Sequence, residues 1–457
     1  MSNVDTKQKK SNMTEIRSIN VIGAGLAGCE AAYQAAKRGV KVNLYEMKPQ
    51  KYTPAHHNKN FAELVCSNSL RSDELSNAIG VLKAELREMG SIIMEAADNN
   101  RVAAGSALAV DREAFSEYIT RKIKNHPNIT VFEEEIGEIP SSEITVIATG
   151  PLTSDKLARF MREKMGLSGL HFFDAAAPIV EFDSIDMTKA FFASRYNKGD
   201  ADYINCPMNE AEYKEFYDAL VSAKEAELHD FDNESQKLTV FEGCMPVEVM
   251  AKRGFETLLF GPMKPVGIEN PKTKETYFAV VQLRKENQNG TMYNLVGFQT
   301  HLTFGEQKRV FSKIPGLENA TFLRYGVMHR NTYIDSPKYL TKFYSLRSNP
   351  NVFFAGQMTG VEGYIESASS GFVAGINAAR LASGKELVDF TDETVIGSLS
   401  HFVENGAFSG NFQPMNANFG IVAPLSYKVK GGKKARNEEI AKRAIQKIKS
   451  LKSEIEK

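Results

Sequence analysis

Cysteine is scarce. Cys29, Cys66, Cys206 and Cys244 are the only four in 457 residues, far apart and without a CxxC pair. That pattern excludes a disulfide framework and a thiolate zinc site, so the four are expected to be free thiols. Net charge is missing too, because 56 lysines and arginines balance 56 aspartates and glutamates. A molecule-wide basic field for nucleic acid is therefore lacking, and any RNA-binding surface has to be a local patch. No apolar run approaches the roughly 20 residues that span a bilayer. The opening MSNVDTKQKKSNMTEIR is polar and has no apolar signal region behind its lysines. The expected location is the cytoplasm, away from any membrane. What the chain does have is apolar material, 42% of its residues, enough to fill one large core or two.

Residues 1–17 read as a disordered extension, and the first buried element is expected at Ser18 to Ile22. Strand and helix signals then alternate, with strands at Val40 to Tyr45 and Ile144 to Ala148 and one long helix from Asn77 to Met94. Alternation of this kind implies an α/β fold around a parallel sheet. From about residue 171 the texture changes to short β-like runs, TLLFGPM, TYFAVVQL and MYNLVGFQT, broken by charged stretches. A buried strand returns at Asn351 to Ala355, followed by a glycine turn and a helix. The organisation expected is a Rossmann-like dinucleotide-binding domain assembled from 18–170 and 330–425. A mixed α+β domain is inserted at 171–329, and a basic tail with a charged, solvated helix occupies 426–457.

The first strand runs straight into Gly23-Ala24-Gly25-Leu26-Ala27-Gly28, a GxGxxG turn opening a helix. Gly23 permits the tight turn, Gly25 lets the backbone approach a pyrophosphate, and Gly28 lets the helix press on the strands. The helix start then offers unpaired N–H groups and a partial positive charge to the phosphates. The next strand delivers Glu46, an acid placed to accept hydrogen bonds from ribose hydroxyls and to disfavour a 2′-phosphate. A second glycine site, VFFAGQMTGVEGYIESASSGFVAGINAARL, puts Gly356 and Gln357 after a strand. Its helix carries small residues Gly371, Ala374, Gly375 and Ala378, which would let it lie close to the sheet. Two such contacts suit an extended cofactor, so FAD is preferred to NAD. Gly150, in Ala148-Thr149-Gly150, marks a further crossover on the cofactor side.

Two thiols stand in reactive-looking surroundings. Cys66 follows an apolar stretch in FAELVCSNSLRSDEL, with Arg71 nearby in sequence, and Cys244 lies between Gly243 and Met245-Pro246. Cys29 reads as core packing and Cys206 as structural. His56 and His57 cannot face one ion together from a helix or strand, so no metal is expected. Arg324-Tyr325 and His329-Arg330 offer a basic and aromatic pairing suited to phosphates or a stacked base.

Over nearly its whole length the chain resembles the folate- and FAD-dependent tRNA (uracil-5-)-methyltransferase family, TrmFO. The matching stretches are NVIGAGLAGCEAAY, EMKPQKYTPAHHNKNFAELVCSNSLRSD, GSALAVDREAF, FFDAAAPIV, YINCPM, FEGCMPVEVMAKRG, YGVMHRNTYI and FFAGQMTGVEGYIESASSG. Less closely it resembles the GidA family, which modifies wobble uridines. The TrmFO resemblance implies transfer of a one-carbon unit from 5,10-methylenetetrahydrofolate to C5 of the T-loop uridine of tRNA, with reduced FAD drawing electrons from NADH or NADPH. It implies Cys244 as the nucleophile and Cys66 as a second catalytic thiol near the flavin. The chain departs from the family pattern in its N-terminal extension, in Cys29 and in a lysine-rich tail. Those departures leave a ribosomal RNA target open, and a flavin oxidoreductase acting on a small molecule is the alternative reading.

Overall fold

In the computed structural model the described residues are 18–456, except 54, 141, 168, 176, 199, 227–244, 288, 327, 407–411 and 413. The sequence INVI at Ile19–Ile22 becomes a central strand, buried at every position, with its one polar side chain, Asn20, bonded to Glu143 and Asn43. A six-stranded sheet forms around it in the order Ser345–Leu346, Asn349–Phe354, Ile144–Ile147, Ile19–Ile22, Val42–Glu46, Ile129–Glu133. Its ladders are parallel, apart from the terminal Ser345–Leu346 strand. The glycine turn follows the central strand and leads into the helix Leu26–Lys37, so the turn sits at the carboxyl edge of the sheet, where ligands of this fold class bind.

The helix Tyr364–Ala382 is buried along most of its length, and its small residues serve a different neighbour from the one expected. Added Cβ atoms at Gly371 and Gly375 would stand 2.1 Å from the Ala27 carbonyl oxygen and 2.5 Å from that of Ala31. The two glycines thus bring this helix against the first helix, while the helix also contacts the strands Ile144–Ile147 and Asn349–Phe354, close to the sheet as expected. Both helix starts are thereby held at one edge of the sheet.

The chain leaves this layer along Gly169–Ala175 and returns along Met328–Ile334, two strands paired antiparallel from Gly169↔Ile334 to Ala175↔Met328. Between them lies a second six-stranded sheet, in the order Phe191–Ala193, Tyr203–Met208, Ala279–Lys285, Met292–Leu295, Ile179–Glu181, Phe322–Arg324. It builds its own core with the helices Glu210–Val221, Val247–Ala251 and Phe304–Phe311. The result is a Rossmann-like α/β unit carrying an inserted α+β unit.

Three local expectations need correction. The long helix read over Asn77 to Met94 is two helices, Ala78–Glu88 and Ile92–Asn99. Gly90 turns the chain with φ +72°, and the Ser91 hydroxyl caps the second helix by accepting the Met94 N–H. The run TLLFGPM is not a strand, because Thr257–Phe260 forms a single 3₁₀ turn. The tail helix, Gly432–Ile455, is not merely solvated: Ile440, Ala441, Ala444, Ile448 and Leu451 are buried against the main core, while its lysines Lys433, Lys434 and Lys442 face outward.

Candidate active site

The glycine turn is shaped by steric exclusion. Gly23 holds φ +96°, and a Cβ there would stand 2.6 Å from the Ala148 carbonyl oxygen; one at Gly28 would stand 1.8 Å from that of Gly23. Gly25 differs, because a Cβ there would meet no protein atom within 4 Å. It would project into open space, where an approaching phosphate needs room. Glu46 is buried at the end of its strand, and its carboxylate accepts the Ala24 N–H at 2.8 Å and the Lys48 N–H at 3.0 Å. The acid therefore braces the turn from the adjacent strand.

The second glycine site faces the first. Gly356 has φ +88° and donates its N–H to the Ser370 hydroxyl at 2.6 Å, while the Gln357 amide donates to the Glu362 carboxylate at 2.8 and 2.9 Å. A single cleft, with about 1300 Å³ of empty space including its open mouth, is lined by Gly23, Ala24, Gly25, Leu26, Ala27, Glu46, Gly150, Gly356, Gln357 and Cys66. Of the residues expected to bind the cofactor, only Gly28 is not in the wall; it lies underneath, where the helix meets its own turn. Two helix starts opening onto one cleft, with an acid beside the first, fit an extended dinucleotide.

Cys66 is half-buried in the same wall, held by residues from four distant parts of the chain. Its N–H donates to the Tyr364 hydroxyl at 2.7 Å, and the Ser67 N–H does so at 3.3 Å. Arg112 donates to the carbonyls of Leu64 and Val65 and grips Glu286 at two points, 2.6 and 3.2 Å. Arg324 donates to the Val65 carbonyl at 2.6 Å. From the second sheet, Arg284 donates to the Ser67 hydroxyl at 2.6 Å and to the Asn68 side chain at 3.1 Å, and Asn68 donates to the Lys285 carbonyl at 2.8 Å. The Cys-Ser-Asn loop is thus the seam between the two sheets.

The electrostatics follow from burial and pairing. Burial works against the charge of Arg112, but Glu286, Tyr364 and Cys66 together outweigh it and the guanidinium ends above its ordinary pKa. Among the described residues Arg324 pairs with no carboxylate, and burial followed by repulsion from Arg112 pulls it below its ordinary value. Burial first, and the Cys66 sulfur second, push the Tyr364 phenol well up, so it stays protonated. Two cations beside the thiol loop, with a neutral phenol on its backbone, favour negative charge at the sulfur.

The other sequence expectations fall as follows. The Arg71 guanidinium, expected beside Cys66, pairs with Glu366 of the facing helix. Cys29 is fully buried and its thiol donates to the Ala24 carbonyl at 3.3 Å; Cys206 is buried in the second core. His56 lies in the cleft wall with Nδ1 2.6 Å from the Thr53 hydroxyl. Among the described residues no group of three or more His, Cys, Asp or Glu could hold a metal ion, and no helix is long and apolar enough to cross a membrane. Cys244 lies outside the described residues.

A family model described as glucose inhibited division protein A matches residues 18–386. The protein of Ligilactobacillus salivarius named methylenetetrahydrofolate--tRNA-(uracil-5-)-methyltransferase TrmFO is 58% identical over 436 residues, spanning 95% of this chain and 98% of that protein. The TrmFO of Acetivibrio thermocellus is 60% identical over 431 residues, 94% of this chain and 98% of the relative. The chain belongs to the TrmFO branch of the GidA family. Two crystal forms of Aquifex aeolicus GidA superpose with TM-scores of 0.70 and 0.68 at 18% identity. They cover 96% of this chain and 76% and 73% of the GidA chain, which establishes the shared fold.

Arg112, Tyr364, Glu286 and Arg284 were not anticipated as part of the TrmFO site. The first two do lie in GSALAVDREAF and GVEGYIESASSG, stretches that carry the family resemblance. Their presence there was the available signal. Nothing in the local sequence around Glu286 or Arg284 marks either residue.

Proposed function

We propose that this chain transfers a one-carbon unit from 5,10-methylenetetrahydrofolate to C5 of the T-loop uridine of tRNA, in the cytoplasm, using FAD and NADH or NADPH. The observation that carries the reading is the position of Cys66 in the wall of the cleft formed by the two glycine sites. FAD, when bound and reduced, supplies the electrons that turn the transferred methylene into a methyl group.

The chain's own residues do the rest. Gly25 and the helix start at Leu26 receive the pyrophosphate, Glu46 takes the ribose hydroxyls, and Gly150, Gly356 and Gln357 border the flavin end. Uracil C5 is a poor nucleophile until a thiolate adds to C6 and leaves an enolate, so the reaction needs a cysteine at the base. We assign that attack to Cys244, on the resemblance of FEGCMPVEVMAKRG. To Cys66, held beside Arg112 and Arg324, we assign the handling of the C5 proton or the shielding of the reduced flavin.

The deciding experiment supplies the purified protein with labelled methylenetetrahydrofolate and NADPH, and offers unmodified tRNA and ribosomal RNA transcripts side by side. Label in tRNA that is lost in Cys244→Ala supports the reading. Label in ribosomal RNA alone would move the substrate, and no label in either would refute the reaction.

A further inference from the structure

An aromatic column stands on the second sheet, unused by the chemistry above. The rings of Phe304, Tyr325 and Phe322 stack in sequence, with centroids 5.1 and 5.4 Å apart and interplanar angles of 18° and 10°. At its inner end Phe322 meets Phe311, which packs edge-on against the buried Phe298. At its outer end Phe304 is 55% exposed, a large apolar ring left facing solvent at the start of the helix Phe304–Phe311.

The column is held rigid. The fully buried Gln307 donates to the carbonyls of Leu302 and Gly326 at 2.7 and 2.8 Å, and its own carbonyl accepts the Gly326 N–H at 2.8 Å. One side chain thus fixes the turn that carries Tyr325 to the helix that carries Phe304. An exposed ring in a stack that is already ordered loses little entropy when a further flat group is added.

Place and charge identify that group. Tyr325 follows Arg324, whose guanidinium holds the Val65 carbonyl next to Cys66. Consecutive Cα atoms lie about 3.8 Å apart, so Tyr325 stands one peptide step from a residue that touches the thiol loop. Lys308, four residues after Phe304 and exposed, lies on the same side of the helix. A flat apolar face with a cation one helical turn away matches a nucleobase and its phosphate.

We propose that Phe304, backed by Tyr325 and Phe322, is a stacking platform for an unpaired base of the substrate RNA close to the target uridine, with Lys308 at its phosphate. The proposal rests on the RNA reading above. Its test puts 2-aminopurine into an unmodified tRNA transcript at unpaired positions near the target uridine. Fluorescence, affinity and methylation are then measured with wild type, Phe304→Ala and Phe304→Trp. Stacking predicts quenching at one position on binding, loss of that quenching and about 5- to 100-fold weaker binding in Phe304→Ala, and recovery in Phe304→Trp. Flavin content and RNA-independent oxidation of NADPH stay at the wild-type level in all three.

An active enzyme whose RNA affinity and quenching are the same in Phe304→Ala would overturn the platform while leaving the reaction in place. A variant altered only in self-association would assign the ring to a second copy of the chain and equally overturn it. Failure of the wild type to methylate any RNA, by contrast, would remove the underlying reading and the platform together.

Discussion

The Cβ that Gly28 lacks would sit 1.8 Å from the carbonyl oxygen of Gly23. The two glycines meet different needs: Gly28 lets the helix press on the carbonyl of its own turn, whereas Gly23 holds a positive φ where a Cβ would meet the Ala148 carbonyl oxygen. A Cβ at Gly25, between them, would meet no protein atom within 4 Å. Gly28 and Gly25 therefore separate by experiment. Gly28→Val should cost about 3 kcal/mol or more through overpacking against backbone. Gly25→Val should leave the thermal midpoint within about 2 °C of the flavin-free wild type while abolishing flavin retention. Absorbance of the purified proteins and a thermal melt of each check this, and a yellow Gly25→Val protein would refute the placement of the pyrophosphate.

That contrast shows what was legible in the sequence. The glycine turn, Glu46 and the second glycine site lie in continuous segments whose local chemistry states their role, and the parallel sheet follows from strands buried on both faces. The setting of Cys66 was not legible. The partners of Val65 arrive from 47 and 259 residues away and that of Cys66 from 298, and nothing local to Arg112, Arg324 or Tyr364 names the loop they hold. The helix break at Gly90 escaped for another reason. The apolar positions continue across it into Ile92 and Ile93 because both helices face the same core, so periodicity alone reads through the turn.

Arg112 and Glu286 form a pair in which the carboxylate side chain is 1% exposed and the guanidinium 16%. Removing one partner strands the other charge in the seam between the two sheets. Arg112→Met should cost about 3–5 kcal/mol, and Arg112→Lys most of that, because a single ammonium cannot make the two-point contact. Urea unfolding compares them. Among molecules that remain folded, alkylation of Cys66 by iodoacetamide should be several-fold slower in Arg112→Met than in wild type, since a cation favouring the thiolate is gone. An unchanged alkylation rate would mean that Arg112 is purely structural.

Glu85 provides a pH signature remote from the cleft. Its buried carboxyl accepts the N–H groups of Val395 and Ile396, each at 2.8 Å, at the start of the helix Val395–Asn405, and burial still pushes it up to about 8. An unfolded glutamate titrates near about 4.3, so between those values the folded chain keeps a proton that the unfolded chain releases. Its stabilising share is complete below the unfolded value and is lost as pH rises through the folded one. The total is at most about 5 kcal/mol. Glu85→Gln removes the titration, so its stability relative to wild type should improve steadily from pH 5 to about pH 8 and level off above it. Denaturant midpoints at several pH values test the slope. A difference that stayed constant with pH would show that Glu85 is ionised throughout, held by its two backbone donors.

Tyr364 joins the start of the long buried helix to the thiol loop, since its hydroxyl accepts the N–H groups of both Cys66 and Ser67. The ring belongs to the cleft wall, whereas the hydroxyl alone orients the loop. Tyr364→Phe keeps the ring and deletes the acceptor, leaving two backbone donors short of a partner, which typically costs about 1–3 kcal/mol. Flavin content should therefore stay near the wild-type level, while methylation falls and Cys66 is alkylated at a different rate as its loop loosens. A purely structural role would lower stability and leave the activity per folded molecule untouched. Activity normalised to bound flavin separates the two. A Tyr364→Phe enzyme with unchanged normalised turnover would show that the arginines alone hold Cys66 in its working position.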